Sequence, residues 1–269
     1  MAPNLAQLTE KIADLVDYPL KSALVAMRAG RESIPPVLPT AGRGRNAAKA
    51  TSKDAASLLL VMIVCPWPSK AAQYITDFGN LIHSDEEALT LGDFGPGTGD
   101  VDEVYAASRT LNLGGTFRDS IARVLDAFGD PSFARAVVES HPRDLRGGVQ
   151  IPNVTVTIWD TIMRGAIRID AVEHYFSHSS IAKIDKEMDI DEVQRRYAEE
   201  GEVSGKYRRR VSSMKSVGNT VIRPIAKLLS GRDFREMMED EAKKLGLIIT
   251  ARPSFQEEDE GVSNGRSNP

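Results

Sequence analysis

Two arginines set between glycines, Arg43 and Arg45 in AGRGRN, point most directly to a chemistry in this chain. Guanidinium groups on a backbone without side-chain bulk can approach closely, pair with phosphates, or enter a narrow minor groove. Asn46 adds a hydrogen-bonding amide, and Lys49 and Lys53 carry the charge onto the next helix. Upstream, Lys21, Ser22, Arg28 and Arg31 fall on polar positions of another helix, and these residue types contact phosphates and base edges. A second cationic run, GKYRRRVSSMK, sets Lys206, Arg208, Arg209, Arg210 and Lys215 around Tyr207. Such a run attracts a phosphate backbone without regard to sequence, and the ring can stack on an unpaired base. Each cluster also has a plainer reading. The first fits a helical hairpin with a solvated loop. The second fits a surface loop paired with the acidic stretch before it.

The elements that must hold these groups follow from periodicity. Leu5, Leu8, Ile12, Leu15 and Val16 mark one face of a first helix. Tyr18 before Pro19 interrupts it, and Pro19 can start a second. Leu20, Leu24, Val25 and Met27 are the expected core positions of that second helix, with Gly30 near its end. Ser33–Asn46, with three prolines and two glycines, is not regular helix. A third helix follows Thr51 or Ser52 as N-cap with Asp54 in its first turn, and a fourth runs from near Pro68 to about His83. Leu91–Asp100, with four glycines, is a linker or long loop. Further helices are expected near Val101–Leu111 and Thr116–Phe128, the latter capped by Thr116. The middle then changes period: Phe133–Ser140, Val154–Asp160 and Met163–Phe176 read as three strands of an antiparallel meander. Helices return at Ile190–Glu200, Val217–Leu229 and Arg232–Leu245. The expected class is α+β: a helical, helix-turn-helix-like region over 1–90, an α+β domain with a three-stranded sheet over 101–250, and a disordered acidic tail over 251–269.

The first 65 residues carry a pattern of short helix, turn, helix, GRGR loop and a T-x-x-D-A-A-x-L-L helix, here Thr51, Asp54, Ala55, Ala56, Leu58 and Leu59. This resembles a group of uncharacterised bacterial proteins of phage-like or mobile elements in alphaproteobacteria. The resemblance extends loosely into the strand-rich part and departs at SIPPVLPT. It implies DNA binding.

The net charge of −4 conceals segregation. Asp170–Glu202 holds ten acidic and four basic residues, whereas Val203–Arg235 holds nine basic residues and one acid. Such asymmetry suggests electrostatic partners. No apolar run reaches the roughly 20 residues of a membrane span, and no leader is evident, so a cytoplasmic protein is expected. The single Cys65 forms no internal disulfide and reads as a small buried hydrophobe. His174 and His178 have ligand-like spacing, but on a strand they stand about 13 Å apart, and Tyr175 occupies the place of a zincin glutamate. His83 and His141 have no partner at ligand spacing; Asp185, Asp189 and Asp191 could bind a divalent ion, yet they also fit an ordinary exposed helix face. Phosphate-loop, nucleophile-elbow and kinase motifs are missing. The sequence therefore reads as a non-enzyme without cofactor or metal: a DNA-binding regulator of a phage or mobile element, forming dimers through its middle. The alternative is a phage-like structural or DNA-packaging assembly protein.

Overall fold

The computed structural model describes residues 3–40, 49–84, 111–140, 148–170, 172–184, 188–207 and 214–250. Arg43, Arg45, Asn46, Arg208, Arg209, Arg210, His141, Asp185, the Leu91–Asp100 linker, nearly all of the expected Val101–Leu111 helix and the 251–269 tail lie outside them. The described chain is mixed α+β, with nine α-helices and a five-stranded antiparallel sheet.

The first helices start where side chains satisfy free backbone amides. α1 (Leu5–Leu15) opens on a capping box between Asn4 and Gln7. α2 (Leu20–Glu32) follows a turn in which Asp17 takes a left-handed φ of 51°. α3 (Ser52–Val64) opens on a second capping box: Thr51 Oγ1 accepts from the Asp54 amide at 3.2 Å, and Asp54 accepts from the Thr51 amide at 2.9 Å. Every residue of α3 from Ala55 to Val64 is buried, so it is a central rod of the helical core. α4 (Ala71–Gly79) ends earlier than the expected fourth helix, because Ile82–His83 forms strand β1 on the edge of the sheet.

Thr116 caps α5 (Phe117–Ala127), accepting from the Asp119 amide at 3.2 Å. α6 (Pro131–Ser140) corrects the expected strand at Phe133–Ser140. Phe133, Ala134, Val137 and Val138 are its buried face, a helical and not an alternating spacing, and Pro131 suits a first helical position. The β-branched composition had masked that period.

Strands β3 (Val154–Trp159), β4 (Arg164–Ile169) and β5 (Val172–Ser177) form an antiparallel meander, but of other strands than expected: Phe133–Ser140 has no part in it, and Met163–Phe176 divides in two at a turn where Asp170 has φ 54°. β6 (Met214–Val217) adds to the free side of β3, giving the order β1-β5-β4-β3-β6. Short β2 (Val149–Gln150) pairs in parallel with β7 (Ile249–Thr250). Helices α7 (Ile190–Ser204), α8 (Asn219–Ser230) and α9 (Phe234–Lys244) complete the chain.

One face of the sheet is buried against helices. Val154, Val156, Ile158, Ile167 and Ile169 are fully buried there. The Phe117 ring of α5 lies under Gly165 and against Phe176, at 5.0 Å between ring centroids. A single cluster of buried apolar side chains runs from Leu5 in α1 to Ala242 in α9.

Candidate nucleic-acid interface

Helix α2 is oriented opposite to expectation. Of the four expected core positions only Met27 packs against the core, half-buried; Leu20, Leu24 and Val25 are 47%, 36% and 47% exposed. The buried positions are Ala23, Ala26 and Gly30. Small residues face inward because another chain segment packs close behind α2. A side-chain carbon on Gly30 would come within 2.8 Å of buried Leu38, whose amide donates to the Gly30 carbonyl at 3.2 Å. The SIPPVLPT segment thus folds back over the end of α2.

This orientation decides which cations reach solvent. Lys21 and Arg28 are exposed and lie seven residues apart, on the same side as Leu24 and Val25. Ser22 is half-buried. Arg31 is half-buried and bent sideways: its guanidinium donates to the Thr40 carbonyl at 3.2 Å, while its buried Nε has no partner among the described residues.

Thr40 lines an open cleft of about 680 Å³ between the 35–40 segment and the facing sides of α3, α4 and α5. Its polar lining includes Thr51, Lys53, Asp54, Ser57, Asn80 and Arg118. Lys53 is engaged, 2.7 Å from Asp119. Burial pushes the Asp119 carboxyl up, but the Lys53 ammonium and the Thr116 hydroxyl outweigh it and hold the pKa below the usual carboxylate range. Arg118 keeps a buried Nε with no partner among the described residues. Sequence reasoning passed over Arg118, which sits in no basic run. Its only signal was an arginine two residues after a good N-cap, set where the helix start faces α3 and α4.

The remaining predicted cations are scattered. Lys49 is exposed and its backbone bridges to Asn4. Thr40 and Lys49 flank the segment that carries Arg43, Arg45 and Asn46. Lys206 is exposed at the end of α7, whereas Lys215 donates its ammonium to the Ile63 carbonyl at 2.7 Å, near the negative end of α3. Tyr207 is buried: its ring packs edge-on against Tyr74 and Phe78, and its hydroxyl donates to Asp77. Burial and that carboxylate push the phenol far above its usual pKa. A ring held this way is not the stacking surface expected of it. The acidic stretch is also partly self-paired, with Glu192 and Glu199 bound to Arg195 and Arg196 within α7.

The histidines separate as strand geometry requires. His174 lies on β5 and meets His83 of β1, with 3.4 Å between ring nitrogens, a contact that sequence spacing had not offered to His83. His178 bonds Ser180 at 2.7 Å. Among the described residues no three His, Cys, Asp or Glu side chains gather to hold a metal. Cys65 is buried, and its thiol donates to the Trp67 carbonyl at 3.0 Å. No helix among the described residues is long and apolar enough to cross a membrane.

The chain matches no family model, no curated protein and no solved structure.

Proposed function

We propose that this chain binds duplex DNA through the outward strip of α2, acting as a regulator associated with a phage or mobile element. The observation that carries this reading is the strip itself. Two cations, Lys21 and Arg28, stand in solvent about 10.5 Å apart along the helix. Leu24 and Val25 lie between them where a core was expected. Cations at that separation suit phosphates, and aliphatic side chains beside them suit thymine methyl groups in a major groove. α1 packs against α2, whose Lys21, Leu24, Val25 and Arg28 are exposed. Arg118 and Arg31 beside the cleft supply guanidinium groups for a phosphate at the end of the strip. Arg43 and Arg45, in the segment between Thr40 and Lys49, extend the same reading.

The test is fluorescence anisotropy with a labelled duplex over a salt series. Each neutralised phosphate contributes about 0.9 to the slope of log affinity against log salt. Lys21→Ala with Arg28→Ala should flatten that slope by about 2 and weaken binding. Affinity and slope both unchanged would overturn the assignment to α2. The same measurement on Arg43→Ala with Arg45→Ala decides whether the glycine-arginine segment contributes.

A further inference from the structure

The open cleft between the 35–40 segment and α3, α4 and α5 holds an arginine without a counter-ion among the described residues. Arg118 lines this cleft and is half-buried, and it forms no hydrogen bond or ion pair among those residues. Its Nε is fully buried. A buried donor left without an acceptor costs free energy, and such groups normally find a partner. Close packing places the stem: a side-chain carbon on Gly79, at the end of α4, would stand 3.4 Å from Arg118 Cβ and 3.6 Å from its Cδ. Asn80, next in the chain, also lines the cleft, and its side-chain amide makes no hydrogen bond among the described residues.

The neighbouring charges narrow what this arginine can take. Lys53 lies 2.7 Å from Asp119, so that pair brings no net charge. Asp54 lines the cleft too, and its carboxylate accepts from the Thr51 amide at 2.9 Å and the Thr51 hydroxyl at 2.8 Å. Its negative charge works against a ligand that carries two. The wall formed by the 35–40 segment is apolar: Pro35, Pro36, Val37, Leu38 and Pro39. Proline fixes its own backbone angle, so a wall with three prolines needs little further ordering when a ligand arrives. The volume, about 680 Å³, falls within the range of about 300–1,000 Å³ for small-molecule sites.

We propose that this cleft binds a small organic carboxylate with a flat apolar body, the carboxylate held by Arg118 and the body laid on the proline wall. A planar guanidinium fork matches a carboxylate through two parallel N–H···O bonds. Charge selects a monoanion, because a phosphate dianion meets twice the repulsion from Asp54 that a carboxylate meets. The wall selects against inorganic anions, since burial of apolar surface stabilises only a ligand that has an apolar body. The site stands on the cleft alone and does not require duplex binding by α2. Its regulatory consequence does rest on that reading: the ligand contests Arg118 with the DNA phosphate assigned there, and so acts against duplex binding.

The probe is 2-naphthoate, titrated into the full chain by isothermal titration calorimetry without DNA, with the neutral 2-naphthylmethanol as control. The carboxylate should bind saturably, and the alcohol roughly tenfold more weakly or less. Arg118→Gln should weaken 2-naphthoate roughly tenfold to a hundredfold, the range for losing hydrogen bonds to a charged group. Its thermal midpoint should stay near the parent's, because no ion pair is lost, and this guards against a folding defect. Arg118→Lys, which keeps the charge but not the fork, should fall between. 2-Naphthyl phosphate should bind more weakly than 2-naphthoate, and Asp54→Asn, which keeps the cap, should narrow that gap. No saturable 2-naphthoate binding, or undiminished affinity in Arg118→Gln, overturns the site. Inorganic phosphate competing as well as 2-naphthoate, mole for mole, reduces the cleft to an anion patch and overturns the choice of ligand. Failure here is separable from failure at α2: Lys21→Ala with Arg28→Ala should leave 2-naphthoate affinity unchanged, and a duplex that does not bind sinks the α2 reading without touching this titration.

Discussion

Gly165 is the point where sheet and helices come closest, and replacing it by alanine measures how tightly they fit. A Cβ at this position would lie 2.6 Å from both Cε1 and Cζ of Phe117, and 3.0 Å from its Cδ1. Carbon pairs rest at about 3.5–4.0 Å, so the ring must retreat by about 1 Å. It has nowhere to go, since Phe117 is fully buried and already packs on Phe176. Overpacking of this kind costs about 1–3 kcal/mol. The reduced freedom of the unfolded chain returns some of that, about 0.4–1 kcal/mol for glycine to alanine. The difference leaves a net loss of about 0–2.6 kcal/mol, centred near 1.3 kcal/mol, or up to roughly 10 °C in Tm for a chain of this size. Urea unfolding followed by circular dichroism reads it as a lower midpoint at unchanged slope. The same substitution in a Phe117→Leu background should cost less than half as much, because the shorter side chain vacates the ring positions. The same effect of Gly165→Ala in both backgrounds would refute the reasoning.

Asp233 caps α9, accepting the Arg235 amide at 2.9 Å, and lies 3.0 Å from the Lys227 ammonium. Burial raises its pKa, but Lys227 and the backbone amides outweigh that and hold it below the usual carboxylate value. Its ionised form therefore adds stability above the unfolded pKa near 3.9, and this is lost as pH falls through the lower folded value. Asp233→Asn, which keeps the cap, should lower the urea midpoint at pH 7, and the gap to the parent should close below about pH 4. A gap constant from pH 7 to pH 3 contradicts the ionic contribution. Leu24→Ser tests the orientation of α2. At 36% exposure the expected loss is about 1–2 kcal/mol, whereas Leu8→Ala in the fully buried face of α1 should cost about 2–5 kcal/mol. A loss at Leu24 as large as at Leu8 would return that side chain to the core.

How far the sequence reaches depends on how local the cause is. Thr51 and Asp54, and Thr116, were readable as helix starts because a cap involves residues three apart in the chain. The β3 alternation was readable because the pleat repeats every two residues. Phe133–Ser140 shows the same information misread: Phe133, Ala134, Val137 and Val138 are helically spaced, but their composition suggested a strand. Three other features had no local signal. The two-residue β1 is held by pairing with β5 and by a bridge to Thr116, and the pairing with β5 brings His83 to His174. Lys215 looked like a free cation until the fold set it against the carbonyl of Ile63, distant in sequence.

The orientation of α2 is the deepest case. The sequence by itself determined a helix at Leu20–Glu32 with both aliphatic and cationic residues. It did not determine which side would be buried, since apolar area favours Leu20, Leu24 and Val25. Tertiary structure decided otherwise, because Leu38 packs where only a glycine leaves room and the inward face is made of Ala23, Ala26 and Gly30. Close packing between segments outweighed the burial of larger side chains. That choice put Leu24 and Val25 beside Lys21 and Arg28 in solvent, on the strip proposed to meet DNA.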